Sequence, residues 1–189
     1  MNDLSLHIID ILQNSIAAGA TLVTLTVEEN TAADRLCITI EDNGRGMTAE
    51  QVARLADPFF TSRTTRKVGM GIPLFRQTAE QSGGSLSVSS TPGEGTTVAA
   101  TFGLSHIDRP PLGDLANSFI LTVTGHPQTE FILNYIYNGR EYRFDTREVK
   151  EALDGLPLGL PQVVVMLDEM VRENIDELKA DSTTKTDGN

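Results

Sequence analysis

Hydrophobic and polar residues follow regular spacings over the first hundred residues of the chain. Apolar residues at intervals of three and four are typical of helices, and strict alternation with β-branched residues is typical of strands. The order of elements is α-β-β-α-loop-α-β-β, which favours an α+β sandwich with one mixed sheet. The predicted helices cover 3–18, 48–56 and 71–84, and the predicted strands cover 21–28, 35–41, 85–90 and 96–102.

The pattern changes after a segment that is rich in proline and glycine, at 107–114. Beyond it, Asn138-Gly139 between alternating runs indicates a two-residue hairpin turn. We therefore predict a domain over 1–104, a linker over 105–114, a small α+β C-terminal domain over 115–180 and a disordered tail over 181–189. Within the C-terminal part the predicted strands lie at 117–125 and 129–146, and the predicted helices at 146–155 and 161–180.

Composition narrows the class of partner. The chain has 189 residues, with 26 acidic and 15 basic side chains and a net charge of −11, which argues against a surface for nucleic acid or anionic membrane. A single cysteine excludes an internal disulfide framework and a multi-cysteine metal site. Neither a long apolar stretch nor a signal-peptide pattern is present, so we expect a cytoplasmic protein with no membrane partner.

The first helix carries one polar stripe in an otherwise apolar surface. His7, Asp10 and Asn14 are spaced i, i+3, i+7, so they share one face. A buried carboxylate needs a partner, and the stripe must face another element or a cavity. It is either a structural network or a carboxylate and an amide that face a metal–phosphate site.

Three glycine-rich segments add candidate binding chemistry. Asp42 precedes Gly44 and Gly46 at a strand end, GMG at 69–71 enters a helix where amides can bind anions, and GEGTT occupies 93–97. Each alone is a common turn or helix start. Basic residues that suit phosphate, or form a solvated loop, cluster just before the second segment, namely Arg63, Arg66 and Lys67.

The ordered set resembles the histidine-kinase-like ATPase superfamily, the GHKL group with the Bergerat ATP-binding fold. The matching segments are DILQNSIAAGA, EDNGRGM, DPFFTSR, VGMGIPL and GEGTTV, and they span residues 1–104. The sequences of these motifs are most similar to those of the catalytic domains of sensor histidine kinases. The resemblance implies a two-layer α/β sandwich of Bergerat type, with a small α+β C-terminal extension, that binds ATP and Mg²⁺.

The resemblance also implies roles for particular residues. Asp42 would accept a hydrogen bond from the adenine amino group, which would select ATP over GTP, and Thr96 would lie beneath the adenine. Asn14 would coordinate Mg²⁺, which needs few protein ligands because it also takes phosphate oxygens and water. The cofactor-binding residues implied are Asn14, Asp42, Gly44, Gly46, Phe60, Lys67, Gly69, Met70, Gly71 and Thr96.

The phosphate side of the implied site depends on the second glycine segment. Gly69 and Gly71 would donate backbone amides to the phosphates, and 61–70 would form the ATP lid. Either Lys67 or Arg66 could neutralise the γ-phosphate.

Asp10 is the candidate catalytic residue. It lies four positions before Asn14, where hydrolysing and serine-kinase relatives carry a glutamate that acts as general base. A carboxylate here could deprotonate a water or an acceptor hydroxyl, or it could contact Mg²⁺ through water. Aspartate is one methylene shorter than glutamate, which bears on its reach. His7 is interpreted as a hydrogen-bonding residue behind the site.

A sensor kinase carries its phosphoacceptor histidine on a helix before this domain, and we expect that helix to be absent. The resulting hypothesis is a soluble kinase in signal transduction that phosphorylates a partner protein in trans. The alternatives are a slow ATPase, a nucleotide-gated switch, or an interaction module without phosphotransfer. The apolar stripe of the helix at 161–180 is either core or a face for docking or homodimer formation.

Overall fold

The computed structural model describes residues 3–55 and 71–181. Within them the helices are α1 Leu4–Ala17, α2 Ala49–Leu55, α3 Gly71–Gln81, α4 Leu115–Gly125, α5 Thr146–Leu153 and α6 Pro161–Ala180. The strands are β1 Leu22–Asn30, β2 Arg35–Asp42, β3 Ser85–Thr91, β4 Gly95–Gly103, β5 Glu130–Tyr137 and β6 Arg140–Asp145.

The strands form one sheet in the order β3-β4-β2-β1-β5-β6. All neighbours are antiparallel except β1 and β5, which are parallel. Phe75 of α3 contacts Phe102 of β4, and Phe119 of α4 contacts Phe131 of β5, on the same face of the sheet. Helices therefore cover the face that the alternating apolar residues predict, and the two-layer α+β sandwich is confirmed.

The C-terminal strands continue this sheet, because β5 pairs with β1 along its length. Asn138 and Gly139 both have positive φ, 49° and 82°, which confirms the predicted hairpin turn. In the proline-rich segment at 107–114, the carbonyl oxygens of Pro111 and Leu112 accept hydrogen bonds at 2.9 Å from the first amides of α1. The division into domains at 105–114 stays a prediction.

The prediction of a strand at 117–125 is wrong, since this segment lies within α4. Its β-branched residues favour a strand locally, but Leu115, Phe119, Ile120 and Val123 are buried at helical spacing. Asp114 caps the helix by accepting a hydrogen bond from the Asn117 amide. Burial of one helical face against the sheet outweighs the local propensity.

The last helix, α6, buries Leu167, Val171 and Ile175 against the core, as the predicted stripe requires. Its role in docking or dimer formation stays a prediction, and most of the tail, 182–189, lies outside the described residues. Among the helices that the structure describes, none has the length and apolar character needed to cross a membrane.

Candidate functional site

The polar stripe of α1 faces α3. His7 is 2% exposed, its ring stacks on Phe75 with centroids 5.2 Å apart, and its Nε2 lies 3.2 Å from Thr78 Oγ1. A Cβ on Gly71 would lie 3.1 Å from the Cβ of Asp10, so the glycine allows α3 to begin directly against this carboxylate. The flank of α1 beside the stripe is less buried than predicted, because Leu6 is 42% exposed.

Asp10 and Asn14 are half-buried on the same stripe. Within residues 3–55 and 71–181, neither side chain has a hydrogen-bond partner, so their oxygens are available to a ligand. No group of three or more His, Cys, Asp or Glu side chains suited to a metal exists in these ranges. A carboxamide oxygen with a carboxylate one turn away fits Mg²⁺, which prefers oxygen ligands and takes few from the protein.

Burial disfavours the charged imidazole of His7 and lowers its pKa, while the nearby carboxylates of Asp10 and Asp3 oppose this shift. Burial is the largest cause. The ring is therefore neutral at pH 7, and it carries one N–H.

Asp42 stands at the end of β2 with both carboxylate oxygens engaged. Ser15 Oγ donates to Oδ2 at 2.7 Å, and the Gly44 amide donates to Oδ1 at 2.9 Å. Ser15 is buried in α1 beside Asn14, so it links the stripe helix to this carboxylate. Each oxygen of Asp42 keeps a further lone pair, and the two bonds fix the direction in which it can accept.

Thr96 lies opposite Asp42 in the register of β2 and β4. Gly95 has a φ of 131°, and a Cβ there would lie 1.9 Å from the Asp42 carbonyl oxygen, so only glycine allows this approach. Ser90 Oγ donates to the Gly95 carbonyl at 2.9 Å and bonds to Thr96 Oγ1 at 2.8 Å. These contacts place Thr96 beside the acceptor carboxylate.

The loop after β2 joins the turn after β3. The Gly93 amide donates to the Arg45 carbonyl at 2.7 Å, and the Met47 amide donates to Ser90 Oγ at 2.8 Å. Gly46 lies between these two contacts and is half-buried. The first and third glycine segments therefore form one surface at this end of the sheet.

The structure brings together Asp10, Asn14, Asp42, Gly71 and Thr96 from four separate elements. Gly44 and Gly46 lie nearby, in the loop after β2. The other predicted residues and the lid over 61–70 lie outside the described residues and stay predictions: Phe60, Arg63, Arg66, Lys67, Gly69 and Met70. Sequence reasoning missed Ser15, Ser90 and Thr78. Ser15 alone had a local signal, as a small polar residue next to Asn14 on an apolar helix face.

The fold is that of an ATPase domain. The chain belongs to the histidine kinase-, DNA gyrase B-, and HSP90-like ATPase family, whose model matches residues 2–106. That match contains the first three helices and the first four strands, and membership implies ATP binding. The C-terminal elements from α4 onward lie beyond it.

Two curated relatives are sensor or sporulation kinases. The chain is 36% identical over 105 residues to the sensor protein kinase FleS of Pseudomonas aeruginosa, covering 56% of this chain and 25% of the relative. It is 32% identical over 104 residues to sporulation kinase E of Bacillus subtilis, covering 53% of this chain and 14% of the relative. The chain thus matches a quarter or less of either relative.

A solved structure supports the fold. The N-terminal domain of a DNA repair protein superposes with a TM-score of 0.54 at 16% identity, covering 77% of this chain and 52% of that one. At this identity the likeness shows the shared fold alone.

Proposed function

We propose that this protein binds Mg-ATP at the end of the sheet and transfers the γ-phosphate to a partner protein in trans. The observation that carries the proposal is the convergence of Asp10, Asn14, Asp42, Gly71 and Thr96 in a chain of this ATPase family. The proposal places the protein in the cytoplasm, where ATP is available.

The adenine end of the proposed site is built on Asp42. Its carboxylate, held by Ser15 and Gly44, accepts a hydrogen bond from the adenine amino group. Guanine presents a carbonyl oxygen at that position, and two facing acceptors repel each other. The site therefore favours ATP over GTP. Thr96, on the adjacent strand β4, lies beneath the adenine.

The phosphate end is built on Asn14 and the start of α3. The side-chain oxygen of Asn14 would hold Mg²⁺, which would offset the negative charge of the phosphates. Amides at a helix N-terminus bind anions, and α3 begins at Gly71. In the proposal Gly69, Met70 and Lys67, which precede this helix, complete the phosphate contacts.

Asp10 acts as the general base of the proposed transfer. Its carboxylate takes the proton of the acceptor group, the acceptor atom forms a bond to the γ-phosphorus, and the bond from that phosphorus to the bridging oxygen breaks. ADP then leaves with the electron pair of that bond. A positioned base contributes about 10²–10⁴-fold to such a step.

A slow ATPase or nucleotide-gated switch is the second candidate. The half-buried Asp10 has no hydrogen-bond partner within 3–55 and 71–181, so it can orient a water as readily as an acceptor hydroxyl. Water would then take the phosphate.

The experiment follows the γ-phosphate of labelled Mg-ATP with the full chain, first alone and then with an extract of the source cell. Asp10→Asn is the test variant, and Asp176→Asn, on the exposed side of α6, is its matched control. We expect a labelled partner protein with wild type and the control, and a loss of about 100-fold or more in Asp10→Asn.

Two results would change this conclusion. Failure of the wild-type protein to bind Mg-ATP would overturn the proposed function altogether. Release of inorganic phosphate without any labelled protein would favour the ATPase candidate.

A further inference from the structure

We propose that His7 and Thr78 are positioning residues for the nucleotide site, because they fix the start of α3 against Asp10. This inference rests on the proposed function. We call the contact between these two side chains the α1–α3 lock. It lies behind Asp10 and has no direct contact with the proposed nucleotide.

The hydrogen-bond direction in the lock follows from the two partners of Thr78. Its hydroxyl lies 3.0 Å from the Leu74 carbonyl oxygen, which can only accept. The hydroxyl has one proton, which it donates to the Leu74 carbonyl. Its oxygen therefore accepts a hydrogen bond from His7 Nε2–H, at 3.2 Å. The neutral imidazole is thereby fixed as the Nε2–H tautomer. Its buried Nδ1 has no hydrogen-bond partner among the residues that the structure describes.

The lock also fixes the rotation of α3. The ring of His7 stacks on Phe75 at an interplanar angle of 14°, one turn before Thr78. One turn further along α1, Asp10 meets Gly71 at the first residue of α3. The two helices therefore run past each other in opposite directions, with the lock at one end and the candidate base at the other.

Loss of the lock moves the carboxylate of Asp10 relative to the amides at the start of α3. Position 71 is glycine and has no side chain to resist such a movement, although the three atoms nearest to a Cβ added there all belong to Asp10. The His7–Thr78 hydrogen bond and the stacking of His7 on Phe75 hold α3 in its position along α1. We expect the effect of breaking them to appear at Gly71 before any nucleotide is added.

The test compares Thr78→Val, which removes the hydroxyl, with Thr78→Ser, which keeps it. Thr124→Val is the matched control, because Thr124 Oγ1 donates to the Ile120 carbonyl four residues earlier in α4, as Thr78 does in α3. Three quantities are measured on the full chain: the imidazole ¹⁵N shifts of His7, the amide resonance of Gly71 without nucleotide, and the affinity for Mg-ATP.

We expect His7 in wild type to show the Nε2–H tautomer. Thr78→Val should move the Gly71 resonance and weaken Mg-ATP binding about fivefold, the equivalent of one lost hydrogen bond. Thr78→Ser should restore both, and Thr124→Val should change neither.

An Nδ1–H tautomer in wild type would overturn the lock. Equal affinities and an unmoved Gly71 resonance in Thr78→Val would show that the contact serves stability alone. If wild type binds no Mg-ATP, the proposed function fails, while the Gly71 resonance in the nucleotide-free protein still decides whether the lock positions α3.

Discussion

Two groups of polar residues lie toward opposite ends of β1 and differ in how their hydrogen bonds are satisfied. At the far end, Glu29 accepts a hydrogen bond from the buried Tyr135 hydroxyl and lies 3.1 Å from Lys179 Nζ. We call these three residues the Glu29 cluster. At the end near Asp42, Asp10 and Asn14 have no hydrogen-bond partner within the residues that the structure describes.

The difference separates stability from binding. A buried carboxylate with a hydroxyl and an ammonium around it is compensated, and removing the carboxylate leaves the buried Tyr135 hydroxyl without this acceptor. Polar groups without partners add nothing to stability and are ready for a ligand. Substitutions in the Glu29 cluster should therefore unfold the protein more readily, and substitutions in the candidate site should weaken ATP binding.

The largest expected effect is that of Glu29→Ala. Burial raises the pKa of Tyr135, so its hydroxyl keeps its proton and loses its acceptor in this variant. We expect the free energy of unfolding to fall by about 3 kcal/mol. Urea denaturation measures this, and Mg-ATP affinity should stay within about twofold under conditions where the variant is folded.

Tyr135→Phe is the control for that prediction, because it removes only the hydroxyl and leaves Glu29 beside Lys179. Its cost should be smaller, about 1 kcal/mol. A large loss of ATP affinity in either variant would contradict the separation of the two groups.

The second effect is that of Asp42→Asn. Replacing one oxygen by an amide turns an acceptor of the adenine amino group into a donor, and we expect about 30-fold weaker Mg-ATP binding, or about 2 kcal/mol. The preference for ATP over GTP should narrow. Titration of the variant with ATP and with GTP measures both affinities, and Asp176→Asn is the control. An unchanged affinity for ATP would contradict the assignment of Asp42 to the adenine.

The third effect tests whether Ser15 holds Asp42 in position for the nucleotide. Ser15→Ala removes the donor to Asp42 Oδ2 without touching the proposed nucleotide contacts. We expect the affinity for Mg-ATP to weaken about fivefold, or about 1 kcal/mol. A loss as large as that of Asp42→Asn would mean that Ser15 itself contacts the ligand.

Local patterns predicted most of the fold. A capping box begins α2, with Thr48 N donating to Gln51 Oε1 at 2.8 Å and Gln51 N donating to Thr48 Oγ1 at 3.2 Å. Such features depend on residues three apart, so the sequence reveals them directly. The segment that forms α4 was predicted wrongly, because its β-branched residues favour a strand locally. Its helical burial depends on packing against other elements, such as the contacts of Phe119 with Phe131 and Phe144.

The candidate site shows the same limit. Spacing and family resemblance were enough to select Asp10, Asn14 and Asp42. The contacts that hold these residues in place join positions far apart, such as Ser15 and Asp42, 27 residues apart, or His7 and Thr78, 71 residues apart. No periodicity of the chain encodes these pairs, and they follow only from the packing of α1 on the sheet and on α3.

The smallest effect is a pH dependence of stability that originates in His7. Its folded pKa lies below the ordinary value of 6.5, so the unfolded chain takes up the proton first as the pH falls. The part of the free energy of unfolding that depends on neutral His7 should therefore be present above about pH 6.5 and decline below it, with a slope under about 1.4 kcal/mol per pH unit. The carboxyls with depressed pKa, Asp145 and Glu130, act at lower pH.

Urea denaturation at half-unit steps between pH 5.5 and 7.5 measures this dependence. His7→Gln should flatten the curve in that window, because it removes the buried imidazole that takes up its proton first in the unfolded chain. His106→Gln, at an exposed position, should keep the wild-type slope. Equal slopes in wild type and His7→Gln would show that burial of this imidazole does not couple protonation to folding.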